Sequence, residues 1–191
     1  MAKTESTFRN MVLSLTFISL AASASLGFVY EFTKKPIELS NLKKKLDAIK
    51  LVVPEFNNNP NDEMYKLATG EGDSLDIYPA KKDNVIVGYA VNTYTNKGFS
   101  GKISLMAGYK PDGTIINITV LEQKETPGLG TKMAEPKFKD QFNDKNPSLF
   151  RLKVKKDGGE VDAITAATIS SRAFCDAIQR GYNTLQKGGL K

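Results

Sequence analysis

Residues 11–30 carry no charged side chain, an uninterrupted run of 20 positions. As a helix rising ~1.5 Å per residue, such a run spans about 30 Å, the thickness of a bilayer's hydrocarbon core. A chain with this feature must build any water-soluble core from the residues beyond it. Lys3 and Arg9 precede the run. A competing reading is a secretory signal, with a basic start, an apolar centre and Ala22-Ser23-Ala24 as cleavage site. Ser14, Thr16, Ser19, Ser23 and Ser25 make the run less apolar than a lone anchor would be. We read residues 1–33 as a retained transmembrane anchor. Ser19, Ser23 and Gly27 recur at spacing four, the small-xxx-small pattern that lets membrane helices approach closely, although small residues are also simply tolerated in anchors. Lys34, Lys35 and Lys43 to Lys45 come after the run in greater number than the basic residues before it, so charge counting leaves the orientation open.

Composition narrows the chemistry. Among 191 residues there is no histidine, no tryptophan and one cysteine. Iron–sulfur clusters draw on several thiolates, zinc on Cys and His, and haem commonly on an axial His. Ser-His-Asp catalysis is excluded with the histidines. Cys175 has no partner for an internal disulfide and falls on an apolar helix face. No metal site is expected, and redox chemistry here falls to an organic cofactor. The net charge of +6 comes from scattered lysines, without the arginine-rich stripe and interleaved aromatics of a nucleic-acid surface. Lysines beside an anchor suit lipid headgroups or solvated faces instead.

Residues 36–53 read as a juxtamembrane helix with Leu39, Leu42, Leu46, Ile49 and Val53 on one face, ended by Pro54. Asn57 to Asp62 form a loop by composition. Residues 64–68 and 75–78 are weak strand patterns. Residues 85–95, 101–109 and 114–122 are rich in β-branched and aromatic side chains, and Lys110-Pro111-Asp112-Gly113 is a turn between the last two. Together they predict an antiparallel meander. Thr126-Pro127-Gly128-Leu129-Gly130 then makes a stiff loop that another group can approach closely, or a plain turn into a helix over 134–142. Phe150, Leu152 and Val154 alternate with basic residues, a half-buried strand pattern, and Asp157-Gly158-Gly159 turns the chain. Phe174, Ala177, Ile178, Tyr182 and Leu185 then mark one face of a final helix, which Ser170 or Ser171 could cap. Thr168 lies just upstream, where free amides and the helix dipole favour an anion, with Arg172 one turn on as a possible partner. The fold expected is α+β, a transmembrane helix followed by one antiparallel-sheet domain with flanking helices. Its limits are 1–33 for the anchor, 34–54 for the juxtamembrane helix and 55–191 for the domain.

Asp162-x-x-Thr165-Ala166-Ala167-Thr168 resembles the flavinylation motif Asp-x-x-Ser/Thr-Gly-Ala-Thr/Ser of FMN-binding domains in ion-pumping redox complexes. Glu125-Thr126-Pro127-Gly128-Leu129-Gly130 resembles the loop that borders the flavin ring in that family, and Gly98-Phe99-Ser100-Gly101 fits its approach to the second strand. Ala166 stands where the family usually has glycine, and Gln123 where it often has histidine. The resemblance spans the soluble part and the single anchor. By length it is nearest to the G subunits of Rnf complexes, ion-translocating ferredoxin:NAD⁺ oxidoreductases, since the related C subunits of Na⁺-pumping NADH:quinone reductases are usually longer.

This resemblance implies an electron carrier with FMN esterified to Thr168, which acts as a tether rather than an acid, base or nucleophile. It implies cofactor contacts from Thr126, Gly128, Leu129, Thr165 and Ala167. It further implies membrane and iron–sulfur partner subunits, and a flavin domain on the extracytoplasmic side of the cytoplasmic membrane. The alternatives are another extracytoplasmic flavin carrier, such as the quinone-reductase subunit, and a membrane-tethered, non-redox binding module.

Overall fold

The computed structural model describes residues 7–70 and 72–188. Lys3, one of the two basic residues expected ahead of the anchor, lies outside them. The chain divides into Met1–Lys43 and Lys44–Lys191. The first unit is the greater part of helix α1 (Phe8–Val52). Leu15, Phe17, Leu20, Leu26 and Phe28 along it are each at least 64% exposed. An apolar surface that the protein leaves uncovered to this degree is matched by lipid. The hydroxyls of Ser25 and Thr33 donate to the carbonyls of Ala21 and Val29, each at 2.8 Å, which removes two polar groups from that surface. A separate juxtamembrane helix was expected from residue 34. Instead α1 runs on through Pro36, which has no N–H to offer the Phe32 carbonyl. The helix stops at Val52, just before Pro54.

The second unit is built on one antiparallel sheet in sequential order, β1 (Tyr65–Ala68), β2 (Ser74–Lys82), β3 (Val85–Gly98), β4 (Gly101–Tyr109) and β5 (Ile115–Glu122). The expected meander is present, and both weak patterns form strands beside it. The β4–β5 turn closes where proline and glycine predict it. The Lys110 carbonyl accepts the Gly113 amide at 2.9 Å, and Gly113 takes φ 86°.

Alternation divides the strands between two cores. Leu75, Ile77, Val91, Leu105 and Ala107 face helix α3 (Thr168–Lys187). Tyr78, Ala80, Ala90 and Met106 face the end of α1, where Ala48, Ile49, Val52 and Val53 are buried. Of the face predicted on residues 36–53, Leu39 and Leu42 remain 68% and 41% exposed, so only its C-terminal part packs on the sheet.

Helix α3 buries all five of its predicted face residues, and burial of Phe174, Ile178 and Leu185 stabilises by about 1.5–3 kcal/mol each. Phe174 meets Phe138 and Phe142 with ring centroids 5.2 Å away. Thr93 and Tyr109 in the sheet donate to the Ala177 and Ile178 carbonyls at 2.7 and 2.9 Å, which fixes the height of α3 on the sheet. Cys175 is buried as expected, and burial pushes its thiol up to about 12, so it stays protonated and unreactive.

Two expectations are corrected. The helix over 134–142 is broken into a 3₁₀ turn (Gly130–Ala134), a short helix α2 (Pro136–Lys139) and a second 3₁₀ turn (Asp140–Phe142). Pro136 begins a helix but cannot continue one, and residue 135 before it is extended. The strand over 150–154 does not form. Leu152 and Val154 are buried and Arg151 and Lys153 exposed as the alternation demands. However, the Lys153 amide bonds the Arg151 carbonyl, and the Arg151 amide bonds the Glu160 side chain. A single parallel bridge, Val154 to Val161, is all that pairs there.

Candidate functional site

The chain leaves β5 into the loop 125–131. Pro127 and Gly128 occupy the central positions of a turn closed by the Leu129 amide on the Thr126 carbonyl at 3.1 Å. Gly128 takes φ 73°, which a side chain would resist. Its amide donates to the Thr131 hydroxyl at 3.0 Å, so the loop is tied to the adjoining 3₁₀ turn.

The segment 162–168 arrives from the other side. Gln141 holds it at Asp162, donating to the carbonyl at 3.2 Å and accepting the amide at 2.8 Å. Ala166 then takes φ 59°, the left-handed conformation that costs a residue with a Cβ roughly 1–2 kcal/mol. This reversal lets Ala167 serve as N-cap position and Thr168 open α3. Neither serine caps the helix, contrary to expectation, because α3 starts three residues earlier than a cap at 170 requires. Ser170 donates to the Glu125 carboxylate. Ser171 donates to the Ala167 carbonyl at 2.9 Å and accepts the Ile164 amide at 3.0 Å.

Loop and helix start enclose a cavity of about 350 Å³. Four of the residues singled out from the sequence line it: Thr126, Leu129, Ala167 and Thr168. Gly128 shapes the turn without reaching the wall. Thr165 faces a separate hollow of about 240 Å³ with Lys132, Phe138 and Gln141. Glu125, Phe99 and Ser170 also line the larger cavity and were not singled out as contacts. Phe99 was legible, since it sits in the Gly98–Gly101 turn already noticed. Glu125 opens the loop already likened to the flavin-bordering one, but nothing local marks its acid as buried. Arg172 turns away. Its guanidinium holds Asp157 at 2.6 and 2.8 Å and keeps that carboxyl below the usual aspartate range. A still larger hollow of about 780 Å³ lies beyond Ile169, over Phe150, Leu152 and Arg172.

The cavity suits a phosphorylated aromatic cofactor. Thr168 is half-buried and its hydroxyl has no hydrogen-bond partner among the described residues, whereas Ser170 and Ser171 are both engaged. Thr168, Ile169 and Ser170 open the helix, so their amides lack intrahelical acceptors, and the positive end of the dipole lies there. With Arg172 committed elsewhere, a phosphate here is met by backbone groups. Phe99, Leu129 and Ile169 are 66%, 39% and 47% exposed, apolar surface available to a flat ring.

Comparison with known proteins places the chain among FMN-binding domains. The FMN-binding domain family matches residues 98–183, which contain both the loop and α3 up to Asn183. The fold is that of the C subunit of the Na⁺-translocating NADH-quinone reductase from Parabacteroides distasonis, with a TM-score of 0.60 at 19% identity over 82% of this chain and 96% of that one. The G subunit of the Na⁺-translocating ferredoxin:NAD⁺ oxidoreductase complex of Acetobacterium woodii is 32% identical over 91% of this chain and 89% of its own length. The G subunit of the ion-translocating oxidoreductase complex of Erwinia tasmaniensis is 37% identical over 78% and 75%. The chain belongs to the family of G subunits of ion-translocating oxidoreductase complexes.

The strained Ala166 yields a direct test. Ala166→Gly removes the Cβ at φ 59° and is expected to raise stability by up to about 1 kcal/mol, read from urea unfolding. An unchanged or lower stability would show that the reversal carries no strain.

Proposed function

We propose that this chain is the membrane-anchored electron carrier of an ion-translocating ferredoxin:NAD⁺ oxidoreductase complex, with FMN joined through its phosphate to the Thr168 hydroxyl. The observation that carries this reading is the Thr168 hydroxyl, without a hydrogen-bond partner among the described residues and set at the open first turn of α3 in the same cavity as Thr126 and Leu129. Thr168 tethers the phosphate and the amides of the first turn neutralise it. Ala167, Thr126 and Leu129 border the cofactor. Gly128 and Thr165 act from outside the cavity wall, by shaping the loop and the motif segment. Bound there, the flavin supplies one- and two-electron transfer, tuned by the polarity around its ring.

Residues 1–33 serve as anchor, 34–54 as a juxtamembrane segment that is helical to Val52, and 55–191 as the flavin domain, on the extracytoplasmic side of the cytoplasmic membrane. A tether suits that location, where a dissociated flavin is not readily replaced. The partners on this reading are membrane and iron–sulfur subunits of the complex and the bilayer itself.

The test is purification from membranes. The polypeptide is expected to run as a fluorescent band after denaturation, together with subunits that carry iron–sulfur clusters. A colourless band would reject the covalent carrier, and a fluorescent band without such partners would favour a stand-alone flavin carrier.

A further inference from the structure

Glu125 is 4% exposed, and its surroundings are arranged to receive a carboxylate. One oxygen accepts the Ser100 amide at 2.9 Å and the other accepts the Ser170 hydroxyl. Two glycines make room for it. A Cβ at Gly98 would stand 2.8 Å from Glu125 Oε1, and one at Gly130 would stand 2.6 Å from both Glu125 Cβ and Ser170 Oγ. The β3–β4 turn, the loop 125–131 and the first turn of α3 therefore meet on one side chain. Nothing in the apolar core calls for an acid here, and burying one is costly unless its acceptors are filled, as both are. The same residue lines the cavity that Thr168 enters.

We propose that Glu125 is the positioning residue of the flavin site. Through Ser170 it pins the first turn of α3, and with it Thr168, against the loop 126–131. The occupant is taken from the flavin reading above, whereas the pin itself is a property of the chain alone.

The test uses the full chain in detergent micelles, as wild type, Glu125→Ala, Glu125→Gln and Ser170→Ala. Backbone hydrogen exchange over 126–131 and 168–171 reads the pin with or without flavin. Glu125→Ala is expected to speed exchange in both segments together, by about tenfold, the equivalent of one lost hydrogen bond. Ser170→Ala should act on the same two segments while leaving Glu125 in place, and it decides the matter if the Glu125→Ala chain does not fold. Glutamine keeps the volume and can bond both partners, so Glu125→Gln should restore slow exchange. Acceleration confined to one segment, or absent from both, overturns the pin, and so does exchange in Glu125→Gln as fast as in Glu125→Ala. Should intact mass show no flavin on the wild type, the flavin reading falls, while the exchange data still judge the pin.

Discussion

Thr168→Val is expected to carry no flavin. Intact mass of the wild type should exceed the polypeptide by one FMN less one water, and that increment should vanish in the variant along with the fluorescence of the denatured band. The argument rests on what valine preserves. It is also β-branched and nearly the same volume, and the threonine hydroxyl that it lacks has no partner among the described residues. Stability should therefore move by no more than about 0.5 kcal/mol, and loss of flavin reads as loss of the attachment atom alone. Thr165→Val is the companion variant: Thr165 faces another hollow and shapes the motif segment, so loading is expected to fall only in part, with the attachment atom still in place. Flavin retained in Thr168→Val and lost in Thr165→Val would move the tether to Thr165. Flavin retained in both would reject the ester.

The two threonines also show where sequence stops informing. The spacing of the motif placed both near the start of a helix, and the anchor, the meander and the apolar face of α3 were equally legible, because each is written in residues close together in the chain. The cavity is not local. Its far wall is the loop at 126–130, some forty positions away, and only the fold decides that Thr168 joins it while Thr165 does not. The burial of Glu125, a residue already noticed in the loop motif, was hidden for the same reason, since it depends on Ser100 and Ser170 arriving from opposite directions. Local patterns misled where one signal has two causes. Alternation at 150–154 came from irregular backbone pressed against the core, and Pro36 was passed over by a helix expected to break there. Arg172 was placed correctly one turn beyond Thr168 and then claimed by Asp157, whose position no spacing rule gives.

The largest effect on folding is expected from Gly108→Ala, far from the cofactor. Gly108 lies in the fourth of five strands, opposite Ala90 on β3, and the last turn of α1 crosses directly over it. A Cβ there would be driven into the Val52 carbonyl oxygen and would stand 2.5 Å from the Val52 carbonyl carbon. The obstruction is backbone on both sides, so no rotamer relieves it. Ala80, Gly88 and Ala90 continue the row of small residues on the same face, a channel cut to the width of the helix. Asn117, next door on β5, donates to the Leu51 carbonyl at 2.9 Å and holds the helix down in it. Forcing α1 outward strips Ile49 and Val52 from their contacts and breaks that bond, for a cost of about 3 kcal/mol. In a unit of this size the melting temperature should fall by roughly 6–12 °C, measured by circular dichroism or calorimetry. The flavin cavity is built from the β3–β4 turn, the loop 125–131 and the start of α3, none of which touches Gly108, so at low temperature the variant should still load Thr168. A melting temperature within a degree of wild type would mean that the end of α1 does not sit in this channel.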